Sequence, residues 1–131
     1  MLIRQKSSIE RHVVVVEDDP SIAVLIAAIL SDEGYTPFVV LDGRHAVRAV
    51  HEIRPRVITL DLELPGLDGR AVLRRLAGED STRAAPIVVV SANADELSQE
   101  DRRLAARALR KPFNVTDLVD AVDDVAGQVA P

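Results

Sequence analysis

Apolar residues in this chain fall into two kinds of segment, short continuous runs and longer stretches with helical spacing. Four continuous runs lie at residues 12–16, 36–40, 56–60 and 86–90, and a shorter segment lies at 107–109. Apolar runs without alternating polar residues are typical of buried parallel strands. Pro37 lies inside the second run and places that strand at a sheet edge. The pattern therefore predicts five strands.

The segment after the first run has the spacing of a helix. Asp19 fits the N-cap position and Pro20 the first turn, while Gly34 is placed to end the helix. Apolar residues recur at the positions expected for one buried face, namely Ile22, Leu25, Ile26, Ile29 and Leu30. The helix is apolar on its other faces too, so four further residues are expected outside the core: Ala23, Val24, Ala27 and Ala28.

Four more helices are predicted, one after each remaining strand. The second begins at residues 42–43 and stops before Pro55, and the third is capped by Asp68 and ends near Gly78. The fourth lies within residues 95–106, and its N-cap is either Asp95 or Ser98. Asn114 together with Asp117 caps the fifth helix. This helix is expected to bury four residues, namely Leu118, Ala121, Val122 and Val125.

Strict alternation of strands and helices predicts an α/β fold of three layers, a parallel sheet with helices on both faces. With 131 residues the chain fits one domain. We expect that domain at residues 12–127, after an N-terminal leader at 1–11 and before a tail at 128–131.

Composition narrows the class of protein. Net charge is −5, which argues against direct nucleic-acid binding, and the chain has no cysteine for disulfides or thiol catalysis. The longest apolar stretch, residues 22–30, is too short to cross a bilayer, and the first eleven residues lack a secretory signal. A cytoplasmic protein without membrane association is expected.

Polar residues end several of the predicted strands. The acids Glu17, Asp18 and Asp19 follow the first strand and Asp61 follows the third, while Ser91 ends the fourth and Lys111 follows the fifth. In a doubly wound sheet, the carboxyl ends of the strands open on one edge. We therefore expect these side chains to converge there.

The converging residues suit phosphoryl chemistry. Crowded carboxylates favour a hard cation, and oxygen ligands fit Mg²⁺. The cation and Lys111 would neutralise a phosphoryl group, Ser91 would donate a hydrogen bond to it, and Asp61 could attack phosphorus. Taken singly, Asp61 and Ser91 could be turn residues, Lys111 a surface lysine, and Asp19 and Asp68 caps. Their joint placement at strand ends favours a site.

The sequence resembles the receiver domain of two-component response regulators. The resemblance covers residues 13–126 and rests on the stretches VVVVEDDP, VITLDLELPGLDG, PIVVVSANA and LRKPF. It implies a flavodoxin-like sheet with strand order 2-1-3-4-5 and five helices. It also implies that Asp61 accepts a phosphoryl group from a phosphohistidine of a sensor histidine kinase or phosphotransfer protein. Such a domain is a signalling phosphoacceptor, with self-phosphorylation and slow self-dephosphorylation as its only catalysis.

The resemblance also implies roles for the residues around Asp61. Asp18, Asp61 and the backbone carbonyl of Glu63 are expected to bind Mg²⁺, with Glu17 acting through water. Ser91 is expected to contact the phosphoryl oxygens and Lys111 to pair with the phosphoaspartate. Three neighbours complete the set: Glu63 and Asn93 are expected to tune hydrolysis, and the peptide bond before Pro112 is expected to be cis.

Two departures from the family pattern concern the face expected to carry the output, formed by the fourth helix, fifth strand and fifth helix. Ala108 replaces the aromatic residue whose rotamer usually reports phosphorylation, and the usual Gly-Ala-Asp turn before the fifth strand is missing. Only 20 positions separate Ser91 from Lys111. The chemistry at Asp61 is expected to be intact, but the aromatic switch is not.

Partners and alternatives follow from the same features. Arginines near the fourth helix and aspartates on the fifth would permit a symmetric homodimer through the output face. One alternative is a receiver-like interaction module that phosphorylation does not switch. A phosphatase with an aspartyl nucleophile would carry that residue on the first strand. A flavin-binding protein of the same fold would need aromatics, which are scarce here.

Overall fold

The computed structural model describes residues 11–128, in which five parallel strands form one sheet. The strands, labelled in chain order, are β1 (His12–Val16), β2 (Thr36–Val40), β3 (Val57–Leu60), β4 (Ile87–Ser91) and β5 (Arg107–Arg110). Their order across the sheet is β2-β1-β3-β4-β5, and every adjacent pair is parallel. The predicted strand order and the edge position of β2 are confirmed.

Five helices cover the two faces of the sheet. They are α1 (Pro20–Asp32), α2 (Ala46–Ile53), α3 (Gly69–Gly78), α4 (Gln99–Leu104) and α5 (Val115–Gln128). Short 3₁₀ turns precede two of them, at Gly43–His45 before α2 and at Ala94–Glu96 before α4. The architecture is the predicted α/β sandwich of three layers, and helix α5 extends into the first residue of the predicted tail.

Side-chain capping fixes where the helices begin. The carboxylate of Asp19 accepts hydrogen bonds from the backbone N–H groups of Ser21 and Ile22 at the start of α1. For α4 the structure selects Ser98 over Asp95, because the Ser98 hydroxyl accepts from the backbone N–H of Asp101. Each such bond satisfies a donor that the first turn would otherwise leave without a partner.

Two aliphatic clusters, one on each face of the sheet, hold the layers together. Alternate residues of β1 point to opposite faces, so Val13 and Val15 pack beneath α1 and α5 while Val14 and Val16 pack beneath α2 and α3. Both faces of β3 and β4 are buried as well. Strands buried on both faces explain why the sequence shows continuous apolar runs there.

The core-facing stripe of α1 differs from the prediction at two positions. Leu25, expected in the core, is 50% exposed, whereas Ala23, expected outside it, is fully buried. Helix α1 therefore presents Ala23, and not Leu25, to the sheet. Val24 and Ala28 are exposed as expected.

A short antiparallel pair of strands was not predicted. Glu63–Leu64 pairs with Leu67–Asp68 between β3 and α3. The turn that joins them contains Pro65 and Gly66, and Gly66 has a φ of 65°, a conformation that favours glycine. The Pro-Gly pair between two leucines is the sequence signal for this turn.

The ends of the chain are described only in part. Ten of the eleven residues of the predicted leader lie outside the described region. The eleventh, Arg11, donates hydrogen bonds to the carbonyls of Glu33 and Gly34 after α1. Within residues 11–128, no helix combines the length and apolar character needed to span a membrane.

Candidate functional site

Three acidic residues meet at the carboxyl edge of the sheet because β1 and β3 are adjacent. The register pairs Val16 with Leu60, so the residues that follow, Glu17 and Asp61, lie side by side. The backbone N–H of Asp61 donates to the carbonyl of Val16 over 3.0 Å. Oxygen atoms of Glu17, Asp18 and Asp61 lie within 4.8 Å of one another. The predicted acidic cluster is therefore present.

Lys111 reaches this cluster with its side chain from the opposite end of the strand order, after the edge strand β5. It follows β5, and its backbone N–H donates to the carbonyl of Ser91 at the end of β4. Its ammonium nitrogen lies 2.6 Å from Oε1 of Glu17 and 3.1 Å from Oδ2 of Asp61. Both carboxylates are buried and Lys111 is only 16% exposed, so the three charges interact with little solvent between them.

The surroundings change the proton affinity of two of these groups. Burial raises the pKa of the Glu17 carboxyl above its ordinary value, and the nearby charge of Asp61 acts in the same direction, although hydrogen bonds from Lys111 and the Asp19 backbone oppose it. For Lys111, burial alone would lower the pKa, but hydrogen bonds to Glu17 and Asp61 outweigh it and the pKa is raised. Lysine therefore stays positively charged between the two acids.

The net charge of the cluster is negative enough to bind a divalent cation. Three carboxyl groups and one ammonium carry, when ionised, a formal excess of two negative charges. Carboxylate oxygens at this spacing are ligands that Mg²⁺ prefers. Asp18 is partly exposed beside the two buried acids, which allows water to complete a coordination shell. These donors fit Mg²⁺.

The loop after β3 holds the Asp61 side chain from the other direction. The backbone N–H of Glu63 donates to Oδ1 of Asp61 over 3.0 Å, and Glu63 begins the short antiparallel pair. The side chain of Glu63 is exposed at the rim of the site. Asp61 thus has one oxygen bound to a backbone amide and the other to Lys111, which fixes the orientation of the carboxylate.

The remaining predicted site residues lie around this core of the site. Ser91 is the last residue of β4, and its buried hydroxyl accepts from the backbone N–H of Asn93 over 3.3 Å. Asn93 is half-buried in the loop that follows. The peptide bond between Lys111 and Pro112 is cis, as expected. Ala108 lies in the middle of β5 and packs partly buried against the cluster beneath α2 and α3.

One part of the rim was not anticipated from the sequence. The connection between β2 and α2, residues 41–44, lines a pocket together with Asp18 and Pro65. It follows the edge strand β2, which carries no predicted site residue, so nothing in the sequence placed Asp42 or Arg44 at the rim.

The fold and the site together define a doubly wound α/β domain with an acidic pocket and a lysine at the carboxyl edge of its sheet. The chain belongs to the response regulator receiver domain family, whose pattern matches residues 13–123. The match extends from β1 into α5 and so includes every predicted site residue.

Named relatives agree with this assignment. The chain is 39% identical over 120 residues to the DNA-binding response regulator MtrA of Mycolicibacterium smegmatis, a match that covers 88% of this chain and 50% of that protein. The chain therefore spans about half the length of such relatives. It is also 28% identical to sporulation initiation phosphotransferase F of Bacillus subtilis, over 84% of this chain and 89% of that protein.

A solved structure shows the same fold with a metal ion. The receiver domain of a sensor histidine kinase from Pseudomonas aeruginosa is 32% identical, with a TM-score of 0.77 and coverage of 89% of this chain and 98% of that one. In that protein a magnesium ion is coordinated in the active site cleft.

Proposed function

We propose that this chain is a cytoplasmic phosphoacceptor domain of a two-component signalling system, with Asp61 as the residue that is phosphorylated. The observation that supports this most is the arrangement of Asp61 itself. One of its oxygens is fixed by the Glu63 amide and the other by the Lys111 ammonium, beside two further acids. A buried, oriented carboxylate next to a fixed cation suits attack on a charged phosphoryl group.

The proposed step transfers a phosphoryl group from a histidine to Asp61. An oxygen of Asp61 attacks the phosphorus of a phosphohistidine on a sensor kinase or phosphotransfer protein. The bond between phosphorus and the imidazole nitrogen breaks, its electron pair returns to that nitrogen, and an aspartyl phosphate forms. Lys111 lies 3.1 Å from the Asp61 carboxylate and pairs with the added negative charge.

Mg²⁺ is the proposed cofactor. Asp18, Asp61 and the backbone carbonyl of Glu63 would hold it, and Glu17 would act through water. When bound, the ion supplies positive charge that neutralises the oxygens of the phosphoryl group. The excess negative charge of the three acids over Lys111 supports this assignment.

Residues near the strand ends would adjust the lifetime of the phosphorylated state. Ser91 would turn its hydroxyl from the Asn93 amide toward the phosphoryl oxygens, a change that links phosphorylation to the loop before α4. Glu63 lies two residues after Asp61 and Asn93 two residues after Ser91, and both would govern the access of water to the acyl phosphate. We propose that α4, β5 and α5 then carry the output.

The exposed face of α1 is the proposed docking surface for the phosphodonor protein. Val24 is 65% exposed and Leu25 is 50% exposed, and Ala28 lies exposed one turn after Val24. These residues form an apolar surface on α1, which begins two positions after Asp18. A helical protein that presents a phosphohistidine to Asp61 would cover this surface.

A homodimer through α4, β5 and α5 is also proposed. Some of the charged residues on this face already form ion pairs within one chain. Arg107 contacts Asp124 over 3.0 Å and Arg110 contacts Asp95 over 3.1 Å. A symmetric dimer would have to exchange these exposed pairs for equivalent pairs between subunits. Analytical ultracentrifugation of the protein with and without beryllofluoride would detect a dimer that depends on the phosphorylated conformation.

Phosphorylation by a small donor tests the central proposal. Wild-type protein is incubated with acetyl phosphate and Mg²⁺, and its intact mass is measured. Asp61→Asn should abolish the gain of a phosphoryl group, whereas Asp68→Asn should not, because asparagine can also cap α3 and Asp68 lies outside the acidic cluster. Absence of phosphorylation of the wild type by any donor would reject the proposal.

The altered output face favours one rival, an interaction module that phosphorylation does not switch. Ala108 cannot act as the aromatic reporter of the family. Titration with beryllofluoride and Mg²⁺, followed by NMR, distinguishes the two: shifts confined to residues near Asp61 favour the rival, and shifts that extend through α4 and β5 support switching. A phosphatase would instead turn over a phosphomonoester many times.

A further inference from the structure

The connection between β2 and α2, residues 41–44, lies at the rim of the acidic site without taking part in its proposed chemistry. With Asp18 and Pro65 it lines an open pocket of about 280 Å³. Two loops of the proposed phosphorylation site therefore share a concave surface with a third loop. A protein that delivers a phosphoryl group to Asp61 would come close to this rim, because Asp18 belongs both to the pocket and to the acidic cluster.

An ion pair inside the connection holds its shape. The side chain of Asp42 accepts a hydrogen bond from the backbone N–H of Arg44, in the 3₁₀ turn that begins at Gly43. It also binds the Arg44 guanidinium through Nε and Nη2. Hydrogen bonds from Arg44 lower the pKa of Asp42 to about 2, so the pair stays charged at neutral pH. Arg44 is nonetheless 74% exposed, so its guanidinium is accessible to a partner.

Close packing fixes the same connection to the loop that carries Glu63. A Cβ atom added to Gly43 would lie 2.6 Å from Leu64 and 2.9 Å from Leu67, which belong to the short antiparallel pair after Asp61. Only glycine allows this approach without displacing those leucines. The position of residues 41–44 is therefore tied to the position of Asp61 through a few packed side chains.

We propose that residues 41–44 form a recognition site for the phosphodonor protein, in which Leu41 and Arg44 select the partner while Asp61 accepts the phosphoryl group. Leu41 follows the edge strand β2 and is 47% exposed, so it offers an apolar contact. Among the charged residues that line this pocket, Arg44 is the cation, and Asp18 and Asp42 are the acids. The surface fits an apolar side chain over Leu41 and an acidic side chain at Arg44, both from a protein that also covers Asp61. Contacts fixed before binding lose little entropy on association.

This inference rests on the proposed function, and comparison of two donors tests it. The probes are acetyl phosphate and a purified histidine kinase from the same genome, autophosphorylated and chosen because it phosphorylates the wild-type chain. Leu41→Asp and Arg44→Glu should each slow transfer from the kinase about tenfold, as expected for a residue at an interface, with the acetyl phosphate rate unchanged. Arg75→Glu is the matched control, since Arg75 is also exposed and ion-paired but lies in the last turn of α3, away from the rim.

The outcomes separate the two proposals. If both variants accept phosphate from the kinase at the wild-type rate, the recognition site is wrong and the phosphoacceptor proposal stands. Equal slowing with both donors also contradicts the recognition site, because it shows that the substitutions impair the phosphoryl transfer at Asp61 itself. If the wild type accepts phosphate from neither acetyl phosphate nor any kinase, the phosphoacceptor proposal falls, and recognition with it. Arg44→Ala, which removes the charge without reversing it, should show a smaller loss specific to the kinase.

Discussion

The ammonium of Lys111 lies closer to Glu17 than to Asp61, at 2.6 Å from the first carboxylate and 3.1 Å from the second. Glu17 is 2% exposed, and its pKa is raised by burial despite this hydrogen bond. Lys111 therefore has a structural role before any phosphorylation, because its positive charge compensates the buried acid Glu17. Its removal tests that role.

Lys111→Met should destabilise the protein by about 3 kcal/mol, since it leaves two buried carboxylates facing each other without a cation. Millimolar Mg²⁺ should recover a larger part of the free energy of unfolding in this variant than in the wild type, because the metal replaces the missing positive charge. Urea unfolding with and without Mg²⁺ measures both effects. The control Arg103→Met removes an exposed cation on α4 and should change neither the free energy of unfolding nor its response to Mg²⁺. Equal effects of Mg²⁺ on Lys111→Met and on the wild type would contradict the prediction.

Two buried threonines should respond in opposite ways to the same substitution. The hydroxyl of Thr59, in the centre of the sheet, is buried without a hydrogen-bond partner in the described region, whereas that of Thr82 donates to the carbonyl of Leu76 over 2.7 Å. Thr59→Val should stabilise the protein by about 1 kcal/mol, because it removes an unsatisfied polar group and keeps the shape. Thr82→Val should destabilise by a similar amount. Thermal unfolding of both variants provides the comparison, and a loss of stability in Thr59→Val would show that its hydroxyl is satisfied.

Much of this structure follows from patterns that the sequence displays directly. Strands buried on both faces leave continuous apolar runs, and the polar residue after each run, such as Asp61 or Ser91, falls at the sheet edge by topology alone. The predicted core was wrong where helical periodicity had to choose between neighbouring apolar residues. The first helix is apolar on nearly every face, so periodicity alone could not decide which side faces the sheet; the fold buries Ala23 and exposes Leu25.

Tertiary contacts also explain what the sequence did not reveal about the site. The pairing of Lys111 with Glu17 joins residues far apart in the chain and depends on how β5 leads out of the sheet. The fixed position of residues 41–44 depends on the packing of Gly43 against Leu64 and Leu67. The sequence predicted that Glu17 and Lys111 converge at the edge of the sheet, but neither their direct ion pair nor the packing around Gly43 has a local sequence pattern.

The link between α3 and α4 should make stability depend on pH. Asp101 is a buried acid on α4, and its two oxygens accept hydrogen bonds from Arg74 on α3 over 3.0 and 2.9 Å. These bonds lower the pKa of Asp101 below its ordinary value of 3.8. The folded state thus favours the charged carboxylate of Asp101. The stability that this carboxylate contributes is fully present above pH 3.8 and is lost as the pH falls through the lower pKa of the folded state.

Asp101→Asn should therefore be less stable than wild type at neutral pH. The difference should shrink as the pH falls below 3.8, because the unfolded wild type then takes up the proton that the folded carboxylate resists. Denaturant unfolding between neutral pH and about pH 3 measures this difference. Asp95→Asn is the matched control, because its pair with Arg110 is 70% exposed on the aspartate side and should contribute little at any pH. A constant gap between Asp101→Asn and wild type would mean that the carboxylate charge is not what stabilises the contact.

Adjacent residues of α1 should separate folding from docking. Ala23 is fully buried, so Ala23→Asp places a charge in the core and should cost on the order of 4 kcal/mol or prevent folding. Val24 is 65% exposed, so Val24→Asp should leave the unfolding midpoint nearly unchanged while transfer from a phosphohistidine protein slows about tenfold. Circular dichroism during unfolding and transfer rates from a kinase and from acetyl phosphate measure the two properties. Because Val24→Asp retains the acidic site, its rate with acetyl phosphate should match the wild type, and slowing with both donors would show that this face of α1 influences the chemistry instead of the docking.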